Sequence, residues 1–294
     1  MLEKIKKSKM IYIIPAFLLL GLVLVFPIIY SINISFKNYV MTLPFREVVY
    51  VGLDNYIDVL TDPRFYNSLK VTLIITFGSL TLQLIFGLSL AIALNNKLME
   101  ENKLLKSQTI RGVLFIPSML MGVIIGLMWQ LGLNPTYGIF NEWLSYLFGT
   151  QSYFSSSTLA IPTIVFIEFW RGTPMVMLIL AAGLKGIPMT PYEAADVDGA
   201  TSWQKFVYIT LPLLKPVLVI TIILRTMDVL RIFDFIFITT SGGPGNLTEV
   251  LSIYAYNTSF VSMRISQGAA ISWVITLIIL IFSFIYFKYL YKRE

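Results

Sequence analysis

Residues 71–94 read VTLIITFGSLTLQLIFGLSLAIAL and contain no charged side chain. A helix needs about 20 such residues to cross a bilayer core of about 30 Å. Counting this one, six stretches meet that length: Ile11–Tyr30, Val71–Leu94, Val113–Leu133, Leu159–Leu184, Pro216–Ile238 and Gly268–Phe287. The sequence therefore predicts an all-α integral membrane protein with six transmembrane helices.

The composition of the whole chain agrees with a membrane protein. Hydrophobic residues make up 56% of the 294 residues and charged residues only 13%. That is about half of the ~25% charged residues of a soluble domain, too few to cover a soluble globule of this size. The chain contains no Cys and no His, which excludes disulfides, Cys/His metal sites, thiol nucleophiles and imidazole bases. We therefore expect no catalytic residues and no metal site.

The lysines and arginines lie mostly on one side of the predicted spans. Thirteen flank the N-terminus, the 95–112 loop, the 185–212 loop and the C-terminus, whereas five lie in the opposite segments. Cytoplasmic loops carry an excess of basic residues, so both termini are predicted to be cytoplasmic. Residues 1–10 would form a cytoplasmic tail. The apolar run that follows is longer than a signal-peptide core and has no clear cleavage site, which favours a retained helix.

The predicted cytoplasmic loop 185–216 carries the signals of a short helix. Thr190 and Glu193 have the spacing of a capping box, and the proline after Thr190 suits the first helical position. A helix is predicted over Pro191–Asp198, and Gly199 is a suitable residue to end it.

A second helix and the charge of the first define the loop further. The second helix is predicted to begin at residues 201–204, TSWQ, and to break near residues 211–212, LP. The first helix carries Glu193, Asp196 and Asp198, whereas helices that rest on lipid usually carry Lys and Arg on their polar face. Anionic phospholipid would repel these carboxylates, so a groove in a protein partner suits this hairpin better.

Several stretches, in the right order, resemble one family of transporters. Residues 193–200, EAADVDGA, and residues 209–212, ITLP, look like the EAA…G…I.LP coupling motif of binding-protein-dependent ABC importer permeases. Three further matches resemble the carbohydrate branch, the maltose and glycerol-3-phosphate type: VGLDNY at 51–56, the block from 111 to 135, and TSGGP at 240–244 with TE at 248–249. The similarity covers about residues 10–290.

The resemblance implies that residues 11–290 form a type I ABC importer transmembrane domain, with its core at about 69–287. The implied partners are a second, homologous but different permease subunit, two ATP-binding subunits, an extracytoplasmic solute-binding protein and the lipid bilayer, with no nucleic acid. ATP and Mg would be bound by the partner subunits, and this chain would need no cofactor. It would carry a sugar or related polyol into the cytoplasm across the bacterial plasma (inner) membrane as a multi-pass protein.

The resemblance also assigns residues to the contact with the ATPase. Carried over by position, the coupling residues are Glu193, Ala194, Ala195, Asp198 and Gly199. Ala194 and Ala195 are small enough for a partner surface to approach the backbone closely. Glu193 is expected to pair with a basic residue of the ATPase cleft, although a purely local capping role is the alternative. Gly199 is expected to serve chain geometry more than contact.

The predicted fourth and fifth spans contain six charged residues: Glu168, Arg171, Arg225, Asp228, Arg231 and Asp234. Each costs about 2.5–3.5 kcal/mol near the bilayer centre. Opposite charges three residues apart predict the pairs Glu168/Arg171, Arg225/Asp228, Asp228/Arg231 and Arg231/Asp234. Residues 171–174, RGTP, weaken a helix, and such discontinuities mark substrate sites in transporters.

These charges predict a polar solute site within the membrane. Its candidate residues are Arg171, Gly172, Met175, Arg225, Asp228, Val229 and Asp234. The resemblance supports the site because aligned positions touch solute in the sugar-binding relatives. The alternative is that the charges pair between helices, or with the second permease, and never meet solute. The six charges sum to zero, so they give no reason to favour an anionic solute.

Two other classes of protein fit parts of the sequence. An ion-coupled secondary sugar transporter would use Asp228 and Asp234 as ion sites, but it leaves the acidic hairpin unexplained. A membrane-embedded enzyme would use Asp54, Asp58 and Asp62, spaced by four on one helix face, although a solvated helix explains them better. The chain has no G-x-x-x-x-G-K-[ST] loop, which excludes an ATPase role for the chain itself.

Overall fold

The computed structural model describes residues 13–42, 47–94 and 101–290, with side chains described in these ranges except at 101–109, 289 and 290. Over these residues the chain is helical and has no strand, apart from an isolated bridge between Lys37 and Tyr50. The prediction of an all-α protein is confirmed. The predicted cytoplasmic tail, residues 1–10, lies outside the described residues.

Thirteen helices follow one another along the described part of the chain. The first seven are α1 (Ile13–Ser35), α2 (Asp54–Thr61), α3 (Pro63–Ala93), α4 (Glu101–Met119), α5 (Gly122–Gly132), α6 (Ile139–Phe148) and α7 (Ala160–Gly186). The remaining six are α8 (Thr190–Val197), α9 (Ser202–Lys205), α10 (Leu211–Leu230), α11 (Asp234–Thr239), α12 (Leu251–Tyr256) and α13 (Ile265–Leu290). π-Helical turns lie at Gly21–Val25, Phe206–Thr210 and Asn257–Val261.

Five helical segments of the described chain are long and apolar enough to cross a membrane: Ile13–Ser35, Pro63–Ala93, Ala160–Gly186, Ser202–Thr239 and Ile265–Lys288. A sixth span results if α4 and α5 are taken as one. They bend by 96° between Met119 and Gly122, so the predicted span over Val113–Leu133 consists of two helices joined by a sharp bend. Pro117 has no N–H to donate and weakens the end of α4.

The fifth span is also interrupted, which hydropathy did not predict. α10 ends at Leu230, residues 231–233 are not helical, and α11 begins at Asp234. The predicted break near Leu211–Pro212 is wrong, because a π-helical turn precedes α10 and Pro212 lies in its first turn. In this π-helical turn the Leu211 amide donates to the carbonyl of Phe206, five residues back, and the helix continues through Pro212.

The predicted discontinuity at residues 171–174 does not occur. α7 runs unbroken through Pro174, and Gly172, Thr173 and Pro174 are all buried. Thr173 Oγ1 donates a hydrogen bond to the carbonyl of Phe169 at 2.7 Å. Side-chain hydroxyls and packed neighbours of this kind allow proline inside transmembrane helices.

The chain divides into two compact units, Met1–Phe65 with Tyr254–Thr276 and Tyr66–Ile253 with Leu277–Glu294. In the first, the Asn55 side chain donates to the carbonyls of Ser35 and Lys37, both at 2.8 Å. In the second, one apolar cluster includes Ile75, Ile164 and Phe235. A separate cluster of the second unit includes Ala91, Leu180 and Leu214, and Tyr192 of α8 packs against it.

Candidate functional site

The breaks in the third and fifth spans lie next to each other, where α5 packs against α11. Gly122 is the first residue of α5 and Asp234 the first of α11. A Cβ built on Gly122 would lie 2.5 Å from the Asp234 Cβ, and one on Gly126 would lie 2.9 Å from the Ile238 Cβ. The two helices can approach this closely only because both positions are glycine.

A cavity of about 220 Å³ opens at this junction. Its lining residues are Gly122, Arg171, Asp228, Arg231, Ile232, Phe233, Asp234 and Phe235. Arg171, Asp228 and Asp234 belong to the predicted solute site, and the structure brings them together. Of the other five, Arg231, Ile232 and Phe233 form the break in the fifth span and Phe235 lies just after it. Sequence reasoning missed them because residues 231–233, RIF, contain neither Gly nor Pro to signal a break.

The other predicted solute residues do not line this cavity. Arg225 is buried next to it, with 5% of its surface exposed. Gly172 and Val229 are buried, Val229 within the apolar cluster that includes Phe235. Met175 is 41% exposed elsewhere on α7. The predicted set therefore separates into three lining residues, one charged residue buried beside them, and three that lie outside.

The charged residues form a connected series of ion pairs. Glu168 is fully buried and pairs with Arg171 at 2.8 Å and with Arg225 at 2.7 Å. Arg225 in turn reaches Asp228 at 3.2 Å, and Arg231 reaches the other oxygen of Asp228 at 3.8 Å. Three of the four pairs expected from spacing are therefore present. Among the described residues the fourth, Arg231 with Asp234, is absent because the chain leaves the helix between them.

Gln83 of α3 links this series to a third helix. Its Nε2 donates to the backbone carbonyl of Glu168 at 2.9 Å, and its Oε1 accepts from Arg225 Nε at 3.0 Å. Gly172 gives this group its room, because a Cβ there would lie 2.3 Å from both Arg225 Nη2 and Gln83 Nε2. Glu168 and Arg225 therefore join α3, α7 and α10, as the alternative of interhelical pairing proposed.

The cavity lining offers both donors and acceptors with no net charge. Arg171 and Arg231 supply guanidinium groups, and Asp228 and Asp234 supply carboxylates. Phe233 adds an aromatic ring, which stacks on Phe237 with a centroid distance of 5.0 Å. Such a lining suits a neutral solute that carries several hydroxyl groups.

The predicted hairpin between the fourth and fifth spans forms in outline but differs at its first cap. α8 begins at Thr190, and the amides of Tyr192 and Glu193 donate to the carbonyl of Met189 at 2.8 and 3.0 Å. No side chain caps this end, so the predicted Thr190–Glu193 capping box is wrong. The box does not form because Thr190 is the first residue of the helix and not the residue before it. The second cap is present, with Thr201 and Gln204 forming a reciprocal capping box.

The predicted coupling residues lie on α8 and directly after it. Glu193, Ala194, Asp198 and Gly199 are exposed, and Ala195 is half-buried. Gly199 has φ +71°, a backbone conformation that glycine adopts without strain.

Two side-chain contacts hold α8 against the chain that leads into α10. The hydroxyls of Tyr192 and Thr210 lie 2.8 Å apart, and Asp196 forms an ion pair with Lys205. Asp196 is engaged in this pair, and Glu193 and Asp198 are the other two exposed carboxylates of the hairpin.

The aspartates proposed for a membrane-embedded enzyme do not form a site. Asp62 lies beyond the end of α2 and accepts hydrogen bonds from the Arg64 amide at 2.8 Å and the Tyr254 hydroxyl at 2.7 Å. Asp62 thus has a structural role. Within the described residues, no group of three acidic side chains is placed to hold a metal ion.

Broken transmembrane helices around a polar cavity, with a helical hairpin between two spans, define the membrane component of a transport system. Residues 83–293 match the family described as "Binding-protein-dependent transport system inner membrane component". The chain belongs to this family, as the resemblance indicated.

Several similar proteins are permeases of sugar transport systems. The chain is 36% identical to the trehalose/maltose transport system permease protein MalF of Thermococcus litoralis, over 97% of this chain and 95% of that protein. It is 34% identical to the arabinooligosaccharides transport system permease protein AraP of Bacillus subtilis, over 90% and 82%. A bacterial alginate ABC transporter shares the fold, with a TM-score of 0.80 at 21% identity over 97% of this chain and 94% of that one.

Proposed function

We propose that this chain is the permease subunit of an ABC importer that moves a sugar or related polyol into the cytoplasm. Partner subunits would bind and hydrolyse ATP, and a solute-binding protein would deliver the solute from outside. A second, homologous permease would complete the channel in the inner membrane. The chain itself would be a transporter subunit and not an enzyme.

The exposed hairpin around α8 is the observation that carries this proposal. It presents Glu193 and Ala194 outward, while Tyr192 and Asp196 tie it to the chain that leads into α10. An ion-coupled transporter has no need for such an anchored acidic helix. A subunit driven by force from a cytoplasmic ATPase does need one.

The cavity supports the choice of solute. Its paired guanidinium and carboxylate groups carry no net charge, and Phe233 offers a ring face. Sugars present many hydroxyls that donate and accept hydrogen bonds, and they place apolar ring faces against aromatic side chains. The relatives named for trehalose, maltose and arabinooligosaccharides agree with this class of solute.

Uptake by sealed vesicles tests the proposal. The chain, purified with its companion subunits, is reconstituted into vesicles, and ATP and the solute-binding protein are each supplied inside or outside. We expect uptake of maltose or trehalose only when ATP is inside and the binding protein and the sugar are outside. A Walker-motif variant of the ATPase subunit, which binds but does not hydrolyse ATP, serves as the control.

Vesicles that contain this chain alone provide the opposing case. Sugar accumulation driven by a proton or sodium gradient, without nucleotide or companion subunits, would refute the proposed function and favour the ion-coupled alternative.

A further inference from the structure

Glu168 lies behind the cavity and is held by three side chains. Arg171 Nε donates to Glu168 Oε2 at 2.8 Å, and Arg225 Nη2 donates to Oε1 at 2.7 Å. Gln83 Nε2 lies 3.4 Å from the same Oε1. Arg171 also lines the cavity, so Glu168 holds from the buried side a guanidinium that a solute would meet from the open side.

Glu168 also balances the charge of this part of the site. Glu168 and Asp228 carry two negative charges, which offset Arg171 and Arg225. If Glu168 were uncharged, the remaining three residues would have one net positive charge directly beside the cavity. Because a low-dielectric interior weakens charge interactions much less than water does, a solute in the cavity would experience that charge.

Fold stability alone does not explain this arrangement. Buried ion groups are costly to desolvate, and apolar side chains of similar volume often replace them without loss of stability. Charged residues within transmembrane helices mark functional sites by default. Glu168 has no exposed surface and does not line the cavity, so any effect on solute must act through Arg171 and Arg225.

We propose that Glu168 is a positioning residue that sets the charge selectivity of the solute site. It orients Arg171 toward the cavity and keeps the site neutral, so that an uncharged polyhydroxy solute binds in preference to its anionic analogue. Gln83 assists by fixing the backbone of Glu168 and the Nε of Arg225. This inference rests on the proposed function, because it assumes that the cavity holds solute.

A matched pair of solutes tests the proposal. Maltose and maltobionate, its aldonic acid, differ in charge at one end, and calorimetry measures the dissociation constant of each for the purified transporter complex. The solute-binding protein is left out, so that its own preference does not enter. In Glu168→Gln, we expect the preference for maltose over maltobionate to fall by about tenfold, the size of effect expected from one buried unit charge nearby.

A change of the opposite sign keeps the test decisive if Glu168→Gln fails to assemble with its partners. Arg225→Gln removes a positive charge from the same group, so we expect the preference for maltose to rise by about tenfold. The double variant, Glu168→Gln with Arg225→Gln, restores neutrality and should return the ratio of the two constants toward the wild-type value. Glu142→Gln removes one negative charge from an exposed position on α6 and should leave the ratio unchanged.

A structural role would weaken the binding of both solutes alike. An unchanged ratio in Glu168→Gln and Arg225→Gln, whatever the loss of affinity, would overturn the assignment of Glu168. Failure of the wild-type complex, together with its solute-binding protein, to transport any sugar or polyol would instead count against the proposed function.

Discussion

Substituting Gly122 with alanine tests whether the close approach of α5 and α11 builds the cavity. The added Cβ would lie 2.5 Å from the Asp234 Cβ and 2.9 Å from its Oδ2. Carbon atoms in favourable contact are about 3.5–4.0 Å apart, so α11 has to move away by about 1 Å. The Cβ of Asp234 is fixed to the backbone, and rotation of its side chain therefore cannot relieve the overlap.

The free-energy cost of this movement translates into a change in melting temperature. Overpacking a well-packed site costs roughly 1–3 kcal/mol, and in a chain of this size 1 kcal/mol corresponds to about 2–4 °C in melting temperature. We therefore expect Gly122→Ala to lower the melting temperature of the purified complex by roughly 2–12 °C. Maltose uptake should fall as well, since Gly122 and Asp234 both line the cavity.

Gly112→Ala provides the matched control within the same interrupted span. Gly112 lies in α4, and a Cβ at that position meets no atom within 4 Å. Alanine in an open helical position is favoured over glycine by about 0.5–1 kcal/mol, so this variant should melt no lower than wild type. The explanation of the cavity would be refuted if the two variants had the same melting temperature and the same uptake.

Three further substitutions have expected outcomes. Glu193→Gln should abolish uptake and weaken copurification of the ATPase subunit, whereas unchanged uptake would remove the hairpin from the coupling mechanism. Gly199→Val places a branched residue at φ +71° and should cost about 1–2 kcal/mol of local stability. We expect it to reduce ATP-driven uptake while the chain still inserts into the membrane. Uptake equal to that of wild type would show that this turn is not required. Asp228→Asn, at a cavity-lining carboxylate that is 54% exposed, should alter the range of accepted sugars, and a fall in expression alone would indicate a purely structural ion pair.

The length of the apolar runs was enough to predict the membrane-spanning helices. Residues 71–94 lie almost wholly within α3, and residues 159–184 almost coincide with α7. The hairpin could also be predicted, because Gly199 and the Thr201–Gln204 cap are local signals that need no distant contact. The orientation of the termini stays a prediction, since the structure contains no membrane.

The breaks within the spans could not be predicted, because distant contacts decide them. Pro174 suggested an interruption, yet α7 is continuous there, with Pro174 buried among neighbouring residues. Residues 231–233 gave no signal, yet the helix stops there and Asp234 reaches Gly122 of another span. Hydropathy averages over about 20 residues and cannot register an interruption of two or three. The cavity lies at these interruptions, so the sequence predicted several of its charged residues but not the backbone that encloses it.

α10 is an uninterrupted rod of about 30 Å, at about 1.5 Å per residue, and it begins directly after Thr210, which Tyr192 of the hairpin contacts. Near its opposite end it carries Arg225 and Asp228. A rigid lever of this length turns a tilt of about 10° into a displacement of about 5 Å at its tip. Under the proposed function, a push on the hairpin would reach the cavity as a shift of the charged groups of α10, with no need for a relay of small side-chain movements between the two.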